Sequence, residues 1–260
     1  MMRKLMSNPI IGKCLPWVLP ILLIVVWAIL SNLDVISRKI LPLPQDVLFS
    51  FRDLLLSGKL IEHIAISFQR AFIGFLIGGG IGLVLGFING LSSIAEKLLD
   101  TTIQMVRNVP HLAMIPLVVL WFGIGEESKI FLVAVGVLFP VYINTLHGIR
   151  SVDNGLIEMG SVYGLRTASL FWKIVLPGAL PSILVGLRYA LGIMWLTLIV
   201  SETIATNSGI GFLAMNAREY MQTDIILLTI VLYALFGKLA DSIAKLLEKR
   251  FLQWNPNYHN

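Results

Sequence analysis

Six apolar runs divide this chain, and their length constrains it more than any motif does. A helix rises 1.5 Å per residue, so crossing roughly 30 Å of hydrocarbon takes about 20 apolar residues. Leu15–Leu33 carries no charge. The second run covers about 64–91 and is interrupted only by Arg70; the third, 109–122, is short and proline-rich. The fourth is 130–146, the fifth 181–204 with Arg188 near its start and Glu202 near its end, and the sixth 225–239. Inside a bilayer the backbone finds no water, so each run must close its own hydrogen bonds and reads as a helix. The expected fold class is all-α, a polytopic membrane helical bundle with six transmembrane helices. Composition agrees: 57% of the 260 residues are hydrophobic and 13% charged, against about 25% charged in soluble domains.

The first run follows a basic front of Arg3, Lys4 and Lys13, as a cleaved signal does. Its length and the lack of a small-x-small site after it favour a retained helix. Of the 20 Lys and Arg residues, twelve fall in the termini and the segments 92–108, 147–180 and 238–254. Six fall in the alternate segments, and Arg70 and Arg188 lie within runs. The positive-inside rule then puts both termini and the 92–108 and 147–180 loops in the cytoplasm, with 34–63 and 205–224 outside. The net charge of +5 is spread between apolar runs rather than on one polar face, which argues against nucleic acid. Asp46 reads as a helix-start residue before 47–56, a short interfacial helix. The sixth helix is expected to continue into the cytoplasm. The expected domain organisation is residues 1–60 as N-terminus, first helix and outer segment, 61–245 as the core, and 246–260 as a cytoplasmic tail.

Gly74, Gly78, Gly82, Gly86 and Gly90 recur every four residues in the second run. On a helix that spacing makes one smooth stripe where another backbone can approach closely. The alternative is a hinge; regular spacing along one face favours packing. Catalytic chemistry is not visible. The Gly-Lys pairs at 12–13, 58–59 and 237–238 lack the following Ser or Thr of a phosphate loop. No two histidines have metal-ligand spacing on one helix, and Cys14 is the single cysteine. Neither a nucleotide site nor a metal site is expected.

The loop at about 147–180 is the most informative segment. Glu158-Met-Gly-Ser-Val-Tyr-Gly164 is followed, after nine residues, by Ile174-Val-Leu-Pro177. Gly164 suits a left-handed helix stop, Thr167 a cap for a second short helix, and Pro177 the end of that helix before the fifth run. Leu170, Phe171 and Ile174 form its apolar face, and Tyr163, Phe171 and Trp172 suggest a partner surface. A loop packed under its own bundle, or an interfacial anchor, remains an equal reading of these residues.

This pattern resembles the EAA loop of bacterial ABC-importer permeases, with Glu158-Met159-Gly160 in place of Glu-Ala-Ala. The likeness extends over nearly the whole chain to the nitrate/taurine/sulfonate group, and within it to the aliphatic-sulfonate permeases. It is carried by 107–111, 117–125, 139–150, 176–188, 194–207, 213–218 and 254–258.

The resemblance implies a type I ABC-importer permease fold. It further implies a second copy of the chain around one pathway, two ATPase subunits on the cytoplasmic side and an extracytoplasmic substrate-binding protein, all in a lipid membrane. ATP and magnesium would belong to the ATPase, and no cofactor to this chain. The loop 150–177 would couple the ATPase to transport through Glu158, Gly160, Gly164, Leu170, Phe171, Ile174, Leu176 and Pro177.

By polarity and position, the candidates for an anion pathway are Asn108, His111, Asn144, Arg188, Trp195 and Asn207. Arg188 has the bland alternative of snorkelling to the interface, and His111 that of a helix-end hydrogen bond. Glu202 would repel an anion and reads as a cap, an ion-pair partner or a contact for the binding protein. A secondary transporter would show repeats and a midplane ion site, and a membrane enzyme a clustered catalytic set; neither is present in the sequence. Taurine and nitrate permeases share the architecture, so the resemblance leaves the substrate open within the group.

Overall fold

The computed structural model describes residues 9–33, 36–110, 113–204 and 206–255. Among them every regular element is helical. In chain order these are α1 (Pro9–Asn32), α2 (Pro44–Leu56), α3 (Lys59–Leu91), α4 (Ser93–Arg107), α5 (Ile115–Phe122) and α6 (Glu126–Arg150). They continue with α7 (Asn154–Val162), α8 (Thr167–Leu170), a π-helical turn at Phe171–Val175, α9 (Leu176–Glu202), α10 (Ile210–Glu219) and α11 (Thr223–Phe251). Among the described residues four stretches are long and apolar enough to cross a membrane: α3, α6, the continuous stretch Thr167–Glu202, and α11. The shorter Trp17–Asn32 of α1 is also apolar. At 29 residues α11 runs about 43 Å, well beyond the hydrocarbon thickness.

Four expectations about the elements need correction. The run 109–122 is not one crossing helix. Only Ile115–Phe122 is helical, eight residues or about 12 Å. Pro116 sits in its first turn, where a missing N–H costs nothing, and Gly123 at φ 74° ends it. The preceding 92–108 segment, read as a loop, is mostly the amphipathic helix α4, capped by Ser92 Oγ accepting from Ala95 N–H at 3.2 Å. Pro177 does not end the loop's second helix. The π turn makes Leu176 N–H bond Phe171 O, and the helix runs on through Pro177 at the start of α9. Thr167 is likewise not the cap, because Arg166 occupies that position with no side-chain bond.

The chain divides into two compact units. One comprises residues 1–61 and 213–231. There Trp27 Nε1 donates to Pro42 O at 2.8 Å and Ser31 Oγ to Leu41 O at 3.1 Å, tying α1 to the proline-bounded link before α2. Asp46, in the first turn of α2, accepts Leu43 N–H at 3.1 Å. Ser50 hydrogen-bonds Asp224.

The other unit comprises 62–212 and 232–260 and holds the larger core. Val133, Val137 and Val141 of α6 pack with Ala190, Met194, Trp195 and Leu198 of α9, Ala71 of α3 and Ala240 of α11. The glycine stripe of α3 faces α6. A methyl group built on Gly74 would sit 2.6 Å from Val133 Cγ1, and one on Gly82 2.5 Å from Leu138 O. One on Gly78 would collide with Ala134 O, and those on Gly86 and Gly90 with Thr145 and Ile149. The partners advance along α6 as the glycines advance along α3, so the two helices run parallel. On the other side of α6, Gly136 meets Thr197 while Gly148 meets Ala179 and Ser182, so α6 and α9 are antiparallel. Asn89 donates to Tyr142 Oη at 2.8 Å, which donates to Asp100 at 2.7 Å, joining α3, α6 and α4.

Gly82→Leu is expected to force α3 and α6 apart. Overpacking of this kind costs about 1–3 kcal/mol, and the melting temperature of the detergent-purified chain should fall. Gly80→Leu is the control: a Cβ there meets nothing within 4 Å, and melting should not change.

Candidate functional site

The segment 154–177 folds as two helical pieces around one glycine. Gly164 has φ 78°. Its N–H bonds Ser161 O, and Leu165 N–H bonds Gly160 O, each at 3.0 Å. This is a Schellman stop, in which the left-handed residue lets the chain satisfy the last carbonyls of α7. Gly160 is buried, and a methyl there would lie 2.6 Å from Ile174 Cδ1, so the absence of a side chain lets α7 close onto the π turn. Glu158 is exposed on α7. Val162, Tyr163 and Trp172 project outward and are 86%, 81% and 66% exposed.

The inward residues differ from the sequence reading. Leu170, Phe171 and Leu176 pack on Ile149, Val175, Ala179 and Ile183, and the Phe171 ring meets Phe87 edge-on at 5.7 Å. Ile174 and Pro177 are half-buried. Because the helix continues into α9, its apolar face belongs to the core of the span. The outer surface is left to α7 and Trp172.

The pathway candidates do not gather in one place. His111 lies outside the described residues. Asn108 is an exposed C-cap of α4, and Asn207 is exposed after α9. Asn144 donates to Pro140 O at 2.8 Å, and its Cβ packs against Gly186. Trp195 is buried, stacked on Phe236 at 5.2 Å and edge-on to Phe68 at 5.0 Å, and lines an apolar cavity of about 310 Å³. Arg188 faces a different, open groove of about 600 Å³ between α9 and α11, lined also by Tyr189, Gly192, Leu196, Gly237 and Asp241. It pairs with Asp241, Nε at 2.8 Å and Nη2 at 2.6 Å. The pair holds the charge across two helices.

At the other end of α9 lies a buried ionic network. Arg70 is 1% exposed. Its Nε and Nη2 take Glu126 at 2.5 and 2.6 Å, and Nη1 takes Glu202 at 2.8 Å. Ser208 accepts two more bonds, through its carbonyl and hydroxyl oxygens, each at 2.8 Å. Glu202 is wholly buried, accepts from Ser67 Oγ at 2.8 Å and caps the N-terminus of α10 through Gly211 N–H at 2.9 Å. All five guanidinium donors are thereby used, which is what lets a charge sit in an apolar bundle.

A helical membrane scaffold with an ion-paired groove and an outward-facing loop fits a transport subunit. The profile described as binding-protein-dependent transport system inner membrane component matches residues 78–253. The chain belongs to that family. It is a multi-pass permease component of an inner membrane, not a catalytic subunit. The permease is 62% identical over 244 residues to the Escherichia coli K12 protein described as an aliphatic sulfonates transport permease, SsuC, covering 94% of this chain and 93% of that one. It is 45% identical to the Bacillus subtilis 168 protein of the same description, covering 92% and 87%. Among solved structures, an amino acid ABC transporter crystallised with histidines superposes with a TM-score of 0.62 at 18% identity, over 78% of this chain and 96% of that one. The permease thus has the ABC-importer permease fold.

Sequence reasoning read Glu202 as a cap or an ion-pair partner without placing it beside Arg70, and named no partner for Arg188. The signal was present: Arg70 and Glu202 interrupt different apolar runs with opposite charge, and a lone Arg188 within a run requires an anion. What a single sequence lacks is the helix order that makes Arg70–Glu202 and Arg188–Asp241 neighbours. Removing one partner of a buried pair typically costs about 3–5 kcal/mol. Glu202→Ala is therefore expected to lower the melting temperature sharply, and Glu126→Ala less so because the Glu126 side chain is 56% exposed. Tryptophan fluorescence melts of the detergent-purified protein measure both.

Proposed function

We propose that this permease imports aliphatic sulfonates. Two copies would share one pathway, driven by two ATPase subunits in the cytoplasm and supplied by an extracytoplasmic binding protein. The observation that carries the substrate is the 62% identity, over 94% of this chain, with the E. coli sulfonate permease. The closing test is growth of a strain lacking this chain on single sulfur sources. Loss of growth on ethanesulfonate, with growth on sulfate retained, is the expected result. Unchanged growth on ethanesulfonate would overturn the substrate.

We read the permease as crossing six times with both termini cytoplasmic, in a type I importer arrangement. The parallel course of α3 and α6 supports this count. Two parallel helices enter from the same side, so the chain between them must recross, although 109–122 forms only a short helix. The return then falls to α4 and α5, helices of 15 and 8 residues. Residues 1–60 form the N-terminal part, 61–245 the transport core and 246–260 the cytoplasmic tail. In a Cys14→Ser background, Ser57→Cys should react with an impermeant thiol reagent from outside and Ala168→Cys only from inside. Reaction of both from one side would refute this topology.

The segment 150–177 is the coupling element. Its outer surface, Glu158, Val162, Tyr163 and Trp172, is large, partly aromatic and available to a partner. Its inner surface, Leu170, Phe171, Ile174 and Leu176, fastens it to the span. Nucleotide-driven motion of the ATPases would act on the outer surface and tilt α9 between inward-open and outward-open states. Gly164→Val tests this. There is open space around Gly164, so the penalty is the left-handed φ alone. The variant should insert normally yet lose most transport, and its ATPase partners should lose stimulation by the loaded binding protein. Full transport with full stimulation would return the loop to a surface anchor.

A further inference from the structure

The groove between α9 and α11 holds a charge arrangement that tying two helices does not require. Arg188 Nε and Nη2 converge on one oxygen, Asp241 Oδ1, at 2.8 and 2.6 Å. A fork-to-fork pair would use both carboxylate oxygens. Here Oδ2 is taken by Lys245 at 3.0 Å, with Lys238 at 3.6 Å. Arg188 Nη1 reaches only Glu248, at 3.7 Å, beyond hydrogen-bond distance. Three cations share two carboxylates, a local excess of one positive charge. The Arg188 side chain is 38% exposed and stands at the wall of a cavity of about 600 Å³. Val185, Ile193 and Leu196 supply apolar lining beside it, and Gly192 and Gly237 add no side chain to its walls; a Cβ at either would face open space.

We propose that this groove is an anion subsite of the translocation pathway, in which Arg188 grips the sulfonate group and the apolar wall takes the alkyl tail. Asp241 is the resident counter-ion that competes for the same guanidinium. The inference rests on the sulfonate reading and deepens it. A sulfonate offers three oxygens, and a guanidinium fork can satisfy two of them together. On arrival the anion displaces Asp241 from Arg188, while Lys245 and Lys238 keep the carboxylate compensated. On departure Asp241 takes the guanidinium back. The competition makes the well shallow, which a transported anion needs for release.

The test rests on opposite signs. The permease assembled with its ATPase subunits is placed in phosphatidylcholine nanodiscs, and binding of radiolabelled ethanesulfonate is measured without binding protein. Arg188→Gln is expected to weaken binding about tenfold, the loss of one charge-assisted contact of about 1.4 kcal/mol. Asp241→Asn is expected to tighten it several-fold and, in proteoliposomes, to slow import. A helix tie and nothing more would be broken equally by either variant, so shifts in the same direction, or no shift, overturn the proposal. Should Arg188→Gln fail to assemble, Asp241→Asn decides alone: tighter binding supports the subsite and weaker or equal binding refutes it. A lipid headgroup is the rival source of the same anion chemistry. If phosphatidylglycerol in the disc displaces ethanesulfonate and Arg188→Gln abolishes that displacement, the groove is a lipid site and the proposal falls. Failure of the unaltered transporter to import ethanesulfonate would instead sink the sulfonate reading itself.

Discussion

A guanidinium inside an apolar bundle has to be matched bond for bond, and Arg70 sets the geometry around it. It bonds Glu126 at the start of α6, Glu202 at the end of α9 and Ser208 in the following loop. Four residues later on the same face of α3 stands Gly74, the first of the stripe that rests on α6. The ion pair fixes where the contact begins, and the glycines let it continue at backbone distance. Neither would hold alone. Without the pair the smooth faces could slide, and without the glycines the carboxylates would stand too far off. In lipid, where apolar side chains gain little by leaving their surroundings, close packing and a satisfied polar anchor are the available ways to specify a contact.

The same logic separates the two intramembrane arginines. Arg70 is fully enclosed and uses every donor; Arg188 is open to a groove and leaves one terminal nitrogen without a hydrogen bond. Enclosure and saturation suit a structural anchor, because its partners cannot be exchanged without unpaired charge. Exposure and incomplete saturation suit a group whose partners change. The acids differ in parallel: Glu202 is buried and caps a helix, while Asp241 is shared among exposed cations.

Much of the fold was legible in the sequence because length and polarity report directly on a bilayer. The second, fourth, fifth and sixth runs correspond to helices long enough to span. The helix stop at Gly164 was legible too, since few other residues take a positive φ without strain. The third run was not, because only eight of its residues are helical and its neighbour α4 is too polar to register as a span. Pro177 misled for a related reason. Proline ends a helix by removing one donor, and a π turn immediately before it shifts the bonding by one residue so that the helix continues. The facing of Leu170 and Phe171 depended on that continuity, and periodicity alone could not assign it. The groove around Arg188 was half legible: the lone charge was visible, but Asp241 lies beyond the sixth apolar run, in a segment read as cytoplasmic.

The unbroken course from Thr167 to Glu202 has a mechanical meaning. Its 36 residues make a rod of about 54 Å, on which a tilt of about 10° about one end carries the other end through about 9 Å. A joint at Pro177 would absorb such a tilt locally. A continuous helix would instead carry it past Arg188 and the groove, towards the ionic cluster at Glu202. The π turn that keeps the helix in one piece through Pro177 would then act as a splice in a lever.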